Sequence, residues 1–243
     1  MKVTVCMGTH NGSKYILKQI NSILVQLKEN DELIVSDDGS TDNTIDIIES
    51  INDNRIKIVK FDGSFPKEGK FTIINHKISF NFLNALKYAT GDVIFFSDQD
   101  DIWMVDKIEK SLDYLKDVDL IISNFSIIGP NDEIILPAFY QKMPKLKKWF
   151  IEPFNPHFSG CAMAFKKEVL NYAIPFPTEL SCGHDNWLGL CANKYGKVKF
   201  IEDVLFMHRV HDSNNSYLGK KSNNSLFQKI NWRLIAFINI IKR

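Results

Sequence analysis

The sequence predicts an α/β fold: a mainly parallel sheet covered by helices on both faces. Two observations carry that prediction. Short β-branched runs alternate with runs of helical period through the first hundred residues, and three of the four strands end in a polar cluster. Val3 to Met7 is a strand closed by Gly8, and Tyr15, Ile16, Ile20, Ile23, Leu24 and Leu27 recur at the spacing of a helix that buries one face. Glu32 to Ser36 reads as the second strand, Asp37 to Thr41 as a loop carrying a helix N-cap, and Ile45, Ile48 and Ile51 as the next buried face. Ile56 to Phe61 is a third strand, followed by a loop rich in Gly and Lys, a helix around Phe82 to Tyr88, and a fourth strand, Val93 to Phe96.

The second half is less regular. A helix from about Trp103 to Lys116 leads to a strand, Leu120 to Ser123, and then to a loop containing Pro130, Pro137, Pro144, Pro153 and Pro156. Phe158 to Phe165 reads as a buried strand, Asn186 to Tyr195 as a helix, Val198 to Ile201 as a strand, and Leu226 to Arg243 as an amphipathic helix.

Composition narrows the function classes. The 243 residues carry 30 Lys+Arg against 29 Asp+Glu, a net charge of +1, which argues against a dedicated nucleic-acid binder. No apolar run reaches the roughly 18 residues a spanning helix needs, and the N-terminus shows no signal-peptide pattern, so a cytoplasmic protein is expected. Cys6, Cys161, Cys182 and Cys191 form no CxxC pair and read as buried thiols. The charge is uneven: the segment 213–243 holds six basic residues and no acid, leaving 24 basic against 29 acidic residues in the other 212. Such a tail suggests a surface partner of its own.

Ligands of parallel sheets bind at the carboxyl ends of the strands, and three polar clusters fall there: Thr9-His10-Asn11-Gly12, Asp37-Asp38-Gly39-Ser40 and Asp98-Gln99-Asp100-Asp101. Three carboxylates within four positions at the end of a buried strand repel unless a cation sits among them, and hard oxygen ligands suit Mg²⁺ or Mn²⁺. A solvated acidic turn is the alternative. Asp-Asp-Gly-Ser suits a ligand loop or an ordinary strand-to-helix turn. Asp185, at the start of a helix, has the chemistry of a general base or of a cap. His208, Arg209 and His211 matter to such a site only where their loop folds back onto the carboxylates. The phosphate-loop, dinucleotide, nucleophile-elbow and zinc-protease signatures are absent.

Taken in order, VTVCMGTHNG, IVSDDGSTD, FNFLNALKYATGDVIFFSDQDDIW, FSGCAMAFKKEVL, GHDNWLGL and MHRVHDSNNS resemble the successive motifs of glycosyltransferase family 2, and within it the bacterial rhamnosyltransferase-like branch. The resemblance runs from about residue 3 to 217. It implies a GT-A fold with a nucleotide-sugar half (1–102) and an acceptor-binding, catalytic half (103–212) of one domain, followed by the basic amphipathic tail (213–243). It also implies inverting transfer from a nucleotide-diphosphate sugar, dTDP-rhamnose or a UDP-hexose, to a hydroxyl of a growing surface polysaccharide, with Mn²⁺ or Mg²⁺ on the diphosphate. Residue by residue, Asp38 would contact the base, with Thr9, His10, Asn11 and Asp37 in the same pocket. Asn81 and Gln99 would sit beside the donor, Asp98 near the ribose or the metal waters, Asp100 and His211 on the metal, and Asp185 would be the base. His184 stands where many members have Glu.

Two rivals accompany this reading. A sugar nucleotidyltransferase would need an Arg-bearing Gly-rich loop after strand one, which Met7 to Gly12 lacks, and an inactive binder of nucleotide or glycan would not need Asp100, Asp185 and His211 intact. In the tail, Phe227, Ile230, Leu234, Phe237, Ile238 and Ile241 can share one helical face flanked by Lys229 and Arg233. That is the pattern of an interfacial helix on the inner face of a membrane, serving a lipid-linked acceptor, or of a face packed on the protein's own core.

Overall fold

The computed structural model describes residues 1–64, 73–154, 157–177, 182–212 and 225–243. Most of the Gly- and Lys-rich loop after the third strand, Pro156, the end of the 174–180 segment and the first part of the tail lie outside the described residues.

Four parallel strands form the first half of a mixed sheet. They are β1 (Val3–Thr9), β2 (Glu32–Asp37), β3 (Ile56–Lys60) and β4 (Val93–Ser97), in spatial order β3-β2-β1-β4. Both faces of β1 and β4 are covered, so Val3, Val5, Cys6, Met7 and Val93 to Phe96 are all buried, and the strands read as unbroken apolar runs. Helices α1 (Ile16–Leu24), α2 (Thr44–Ser50) and α3 (Ile73–Leu86) make the crossovers. Ile16, Ile20, Ile23 and Leu24 of α1 are buried, as their spacing predicts. The expected cap at Ser40 or Thr41 is not used. Helix α2 begins at Thr44, whose backbone N–H donates to the Asp42 carboxylate at 3.0 Å, while Ser40 and Thr41 tie neighbouring loops together.

The second half continues the same sheet. After the two-residue strand β5 (Ile102–Trp103), helix α4 (Lys107–Tyr114) leads to β6 (Leu120–Ile128), β7 (Ile134–Leu136), β8 (Met163–Lys166), the short helix α5 (Leu170–Ala173), α6 (Gly183–Tyr195), β9 (Val198–Arg209) and α7 (Leu226–Lys242). The sheet runs on from β4 as β8-β6-β9-β5, with β7 hydrogen-bonded to β6. Here β8 is antiparallel to β4 and β6, whereas β9 is parallel to β6.

Several boundaries depart from the sequence reading, each for a local reason. Trp103 is strand rather than helix, because its N–H is taken by Ser22 Oγ at 3.0 Å and it pairs with Phe206. The segment before Met163 is a 3₁₀ turn, Gly160–Ala162, so strand begins only at Met163. The proline-bearing loop contains β7. Strand β6 runs five residues past Ser123 and β9 eight past Ile201, and the pair shifts register twice, on either side of Asn124. Helix α6 starts at Gly183, placing Asp185 in its first turn rather than at its cap.

The apolar face of α7 is divided. Ala236 and Ile240 are buried, and the Phe237 ring lies 5.5 Å from that of Phe154, whereas Phe227, Ile230, Leu234, Ile238 and Ile241 are exposed. Among the described residues, no helix is long and apolar enough to cross a membrane.

Phe158 packs directly on Gly189 of α6, where an added Cβ would overlap the phenyl ring. Gly189→Ala gains about 1 kcal/mol of helix propensity but forces a buried ring to shift. We expect a net loss of roughly 1 to 3 kcal/mol in denaturant unfolding; a stabilised variant would contradict this packing.

Candidate active site

The carboxyl ends of β1, β2 and β4 open into a cleft of about 1490 Å³ that is closed on its far side by α6, α7 and the end of β9. Thr9, His10, Asn11, Asp38, Asn81, Asp98, Gln99, Asp100, Asp185 and His211 all line it. Residues separated by up to 202 positions in the chain are thus brought to one surface. Asp37 is the exception. It is buried, and its carboxylate accepts the Ser40 backbone N–H at 2.9 Å and the Ser40 hydroxyl at 2.5 Å, so it shapes the loop rather than facing the cleft.

The acidic cluster is met by side chains from the second half of the chain. His211 Nε2 lies 2.9 Å from Asp100 Oδ2, and His208 Nδ1 lies 2.9 Å from Asp101 Oδ1. The buried Arg209 donates from Nε to the Asp100 carbonyl at 2.9 Å and pairs with Asp132 at 2.6 Å. Asp98 accepts from the Cys161 thiol at 2.6 Å. Burial, with Asp101 and Asp100 beside it, raises the Asp98 carboxyl to about 7. Burial alone would hold the His208 imidazole down, but Asp101 outweighs it and, with Asp98 and Asp100, raises it to about 9. Lys107, buried between the rings of Trp103 and Phe206 at 4.5 and 4.3 Å, donates to the Cys161 carbonyl at 2.7 Å, and burial lowers its ammonium to about 8.

Gln99 does a different task from its neighbours. Its Oε1 accepts from Thr9 Oγ1 at 2.5 Å and from the His10 backbone N–H at 2.9 Å, and its Nε2 donates to the His10 carbonyl at 3.1 Å. Its amide is therefore a latch between the loops after β4 and β1. Asn11, in the left-handed region at φ 49°, accepts from the Thr41 N–H at 2.8 Å and fixes the loops after β1 and β2 in the same way. On that floor, the Asp38 carboxylate pairs with Lys77 of α3 at 2.7 Å, and its carbonyl faces His10 Nδ1 at 2.8 Å. Asn81 donates from Nδ2 to the Thr9 carbonyl at 3.4 Å, and its buried Oδ1 has no partner among the described residues.

Across the cleft, two backbone N–H groups orient Asp185: Gly160 donates to Oδ2 at 3.2 Å and Asn186 to Oδ1 at 2.7 Å. His184 is stacked on Phe82 at 4.5 Å, and burial lowers its imidazole below the ordinary range. Its backbone N–H and its Nδ1 both lie 3.3 Å from Ser79 Oγ. The hydroxyl accepts from the backbone N–H, and the buried Nε2 has no hydrogen-bond partner among the described residues. Lys107, Cys161, Ser79 and the full role of His208 were not legible as site residues. A lysine on a helix and a cysteine in an apolar run read as solvated and as core, respectively.

A parallel-sheet floor, a carboxylate cluster at the end of its central strand and a facing helix that carries a further carboxylate define a GT-A domain. The chain belongs to glycosyl transferase family 2, whose model matches residues 4–172. It is similar to the dTDP-rhamnosyl transferase RfbG of Shigella flexneri, 32% identical over 166 residues that cover 68% of this chain and 55% of that protein. In fold it is similar to S. aureus TarS 1-349 in complex with UDP, with a TM-score of 0.65 at 20% identity, covering 98% of this chain and 66% of that one. It is likewise similar to the mannosyltransferase PcManGT from Pyrobaculum calidifontis in complex with GDP-Man and Mn²⁺, with a TM-score of 0.63 at 21% identity, covering 99% of this chain and 64% of that one. The chain spans 66%, 55% and 47% of the length of the first three curated relatives it matches.

The raised His208 value fixes the sign of a pH effect. The His208–Asp101 pair stabilises the fold fully below the ordinary imidazole value of 6.5 and loses that contribution as the pH rises through about 9. The stability gap between wild type and His208→Gln, read by urea unfolding, is therefore expected to be a few kcal/mol at pH 6 and to narrow between pH 7 and 9.5. A gap independent of pH would show that the imidazole does not carry a charge there.

Proposed function

We propose that this domain transfers a sugar from a nucleotide-diphosphate donor to a hydroxyl of a growing surface polysaccharide, in a single displacement that inverts the anomeric centre. The observation that supports this most directly is the single cleft lined by Asp38, by Asp98 and Asp100 with His211, and by Asp185. Residues 1–102 supply the donor wall and residues 103–212 the acceptor wall. The named relative RfbG favours a dTDP-sugar; TarS with UDP leaves a UDP-hexose as the other donor class.

A divalent cation suits the residues present. Asp100 and His211 offer a hard oxygen and an imidazole nitrogen 2.9 Å apart on the cleft surface, a donor set that fits Mn²⁺ and, through the carboxylates, Mg²⁺. The grouping of Asp98, Asp101 and Cys161 within 4.8 Å is less suited, because burial and the adjacent Asp98 keep the thiol protonated and its hydrogen already serves Asp98. When bound, the cation would neutralise charge on the departing diphosphate.

The chain's own residues supply the rest. Asp38 presents its carboxylate to the base, with Lys77 as the partner to be displaced or shared. Asp185, its carboxylate turned by the Gly160 and Asn186 N–H groups, takes the proton of the attacking hydroxyl as that oxygen bonds to the anomeric carbon and the diphosphate leaves with the bonding pair. The acceptor is lipid-linked, and the protein works in the cytoplasm against the inner face of the membrane. The support for that is the exposed apolar stripe of α7 beside the cleft.

The test is thermal stability against UDP, dTDP, GDP and CDP with and without Mn²⁺, followed by transfer assays. A nucleotide at about 100 times its dissociation constant raises stability by about 2.7 kcal/mol. We expect one base to give a Mn²⁺-dependent shift that Asp100→Asn abolishes. Asp185→Asn should keep that shift while transfer falls by about 10² to 10⁴-fold. Retained transfer in Asp185→Asn would remove it as the base, and no shift with any nucleotide would favour an inactive homologue.

A further inference from the structure

Charge is unevenly spread over the cleft, which Asp185 and Asp212 also line. The donor wall presents Asp38, Asp98 and Asp100, whereas α7 presents Lys229 and Arg233, one helical turn apart and therefore on one face. Both are half-buried, and among the described residues neither head group has an ion pair or a hydrogen bond. Other cations near the cleft are engaged: Lys77 with Asp38 at 2.7 Å, Arg209 with Asp132 at 2.6 Å, and Lys14 over the Tyr15 ring at 4.8 Å. Residues 226–243 contain no acid that could serve the pair. Two like charges held a turn apart in a partly desolvated cleft are unfavourable without a counter-ion.

The helix is anchored on the Asp185 side of the cleft. Lys194 of α6 donates to the Ile240 carbonyl at 2.8 Å, Arg243 Nε donates to the Tyr172 carbonyl at 2.7 Å, and Phe237 packs on Phe154. The exposed stripe of Phe227, Ile230, Leu234, Ile238 and Ile241 lies on the adjoining face. One helix thus offers a cationic pair to the inside of the cleft and an apolar track to the outside.

We propose that Lys229 and Arg233 form a subsite for the phosphate or diphosphate ester of the acceptor, whose hydrocarbon chain follows the apolar stripe of α7. The guanidinium gives paired donors to two phosphate oxygens and the ammonium a point charge to the third. This rests on the glycosyl-transfer reading above, and it names the group by which the acceptor is held. The donor's own diphosphate is the other source of the same chemistry, and the two are separable by measurement.

The test is binding rather than turnover, so it stands whether or not a sugar is transferred. Trp232, which lines the cleft beside the pair, supplies the fluorescence signal. Three probes are titrated in EDTA (farnesyl diphosphate, farnesol and inorganic pyrophosphate), and UDP or dTDP is titrated separately with Mn²⁺. Farnesyl diphosphate should bind wild type about tenfold or more tightly than either fragment, and the Lys229→Gln/Arg233→Gln variant should lose that advantage. Arg233→Lys should recover part of it, Lys242→Gln on the exposed face should change nothing, and nucleotide binding should stay within about twofold in every variant. Equal binding of farnesyl diphosphate and farnesol to wild type would overturn the proposal. So would loss of nucleotide binding in the double variant, which would assign the pair to the donor instead.

Discussion

Three carboxylates delivered within four residues at the end of a buried strand are the constraint around which the second half of this protein is arranged. Asp101 is 1% exposed, and a buried carboxylate without a partner costs several kcal/mol. The loops of the first half are joined chiefly to one another, through Gln99, Asn11 and Asp37. The partners of the cluster come from β9, which runs twelve residues beside β6 and brings His208 to Asp101, Arg209 to the Asp100 carbonyl and the following His211 to the Asp100 carboxylate. Arg209 then binds the carbonyls of Asp100 and Gly129 together with the Asp132 carboxylate, so the turn after β6 is drawn in as well. The long parallel pair, the turn at 129–132 and the closed cleft follow from one electrostatic requirement.

That dependence explains what was legible in the sequence. The parallel half reads directly, because strands buried on both faces are unbroken apolar runs and helices buried on one face show the 3.6 period. Asp98, Asp100 and Asp185 read as candidates from their place at strand and helix ends, where an acidic turn or a cap is equally natural, and the resemblance to the family's motifs separates the two uses. The length of β9 does not read, because Glu202 and Asp203 interrupt the apolar run. In the structure, Asp203 accepts from the Tyr114 hydroxyl at 2.8 Å and pairs with Lys110 at 3.2 Å, so two acids are tolerated where the strand shows an edge to α4. With β9 read as ending at Ile201, His211 could be linked to the acidic cluster only by resemblance. Lys107 was invisible for a related reason: nothing local distinguishes a lysine held between two rings from one in solvent.

The floor of the cleft shows how polar residues in one motif divide the work. Asp98 and Asp100 face the cleft, while Gln99 between them turns to His10 and bonds its backbone from both ends of the amide. Gly12 is required opposite, because a Cβ there would overlap the Gln99 head. Asn11 joins the β1 loop to Thr41, and Asp37 joins its own loop to Ser40. The three loops that converge on the candidate donor site are therefore cross-linked by side chains before any ligand arrives, and the ordering entropy of binding is reduced accordingly.

The candidate base and the acidic cluster are held at a fixed separation by the single turn Gly160–Ala162. Gly160 N–H binds Asp185, while the next residue, Cys161, gives its thiol hydrogen to Asp98 and receives Lys107 on its carbonyl. Two adjacent residues thus bridge the donor and acceptor walls, and the buried ammonium prevents the turn from swinging away. The turn is also closely packed at its first position, since a Cβ on Gly160 would stand 3.3 Å from His184 Nε2 and 3.6 Å from Asp185 Cβ. His184 therefore acts on this geometry from behind. A neutral ring wedged between Phe82 and Phe96 sets how closely α6 approaches the turn, and with it how far Asp185 stands from the strand end that carries Asp98 and Asp100. An acidic side chain at position 184 would place a charge between the Phe82 and Phe96 rings, so the neutral imidazole is the better match to this aromatic rear wall.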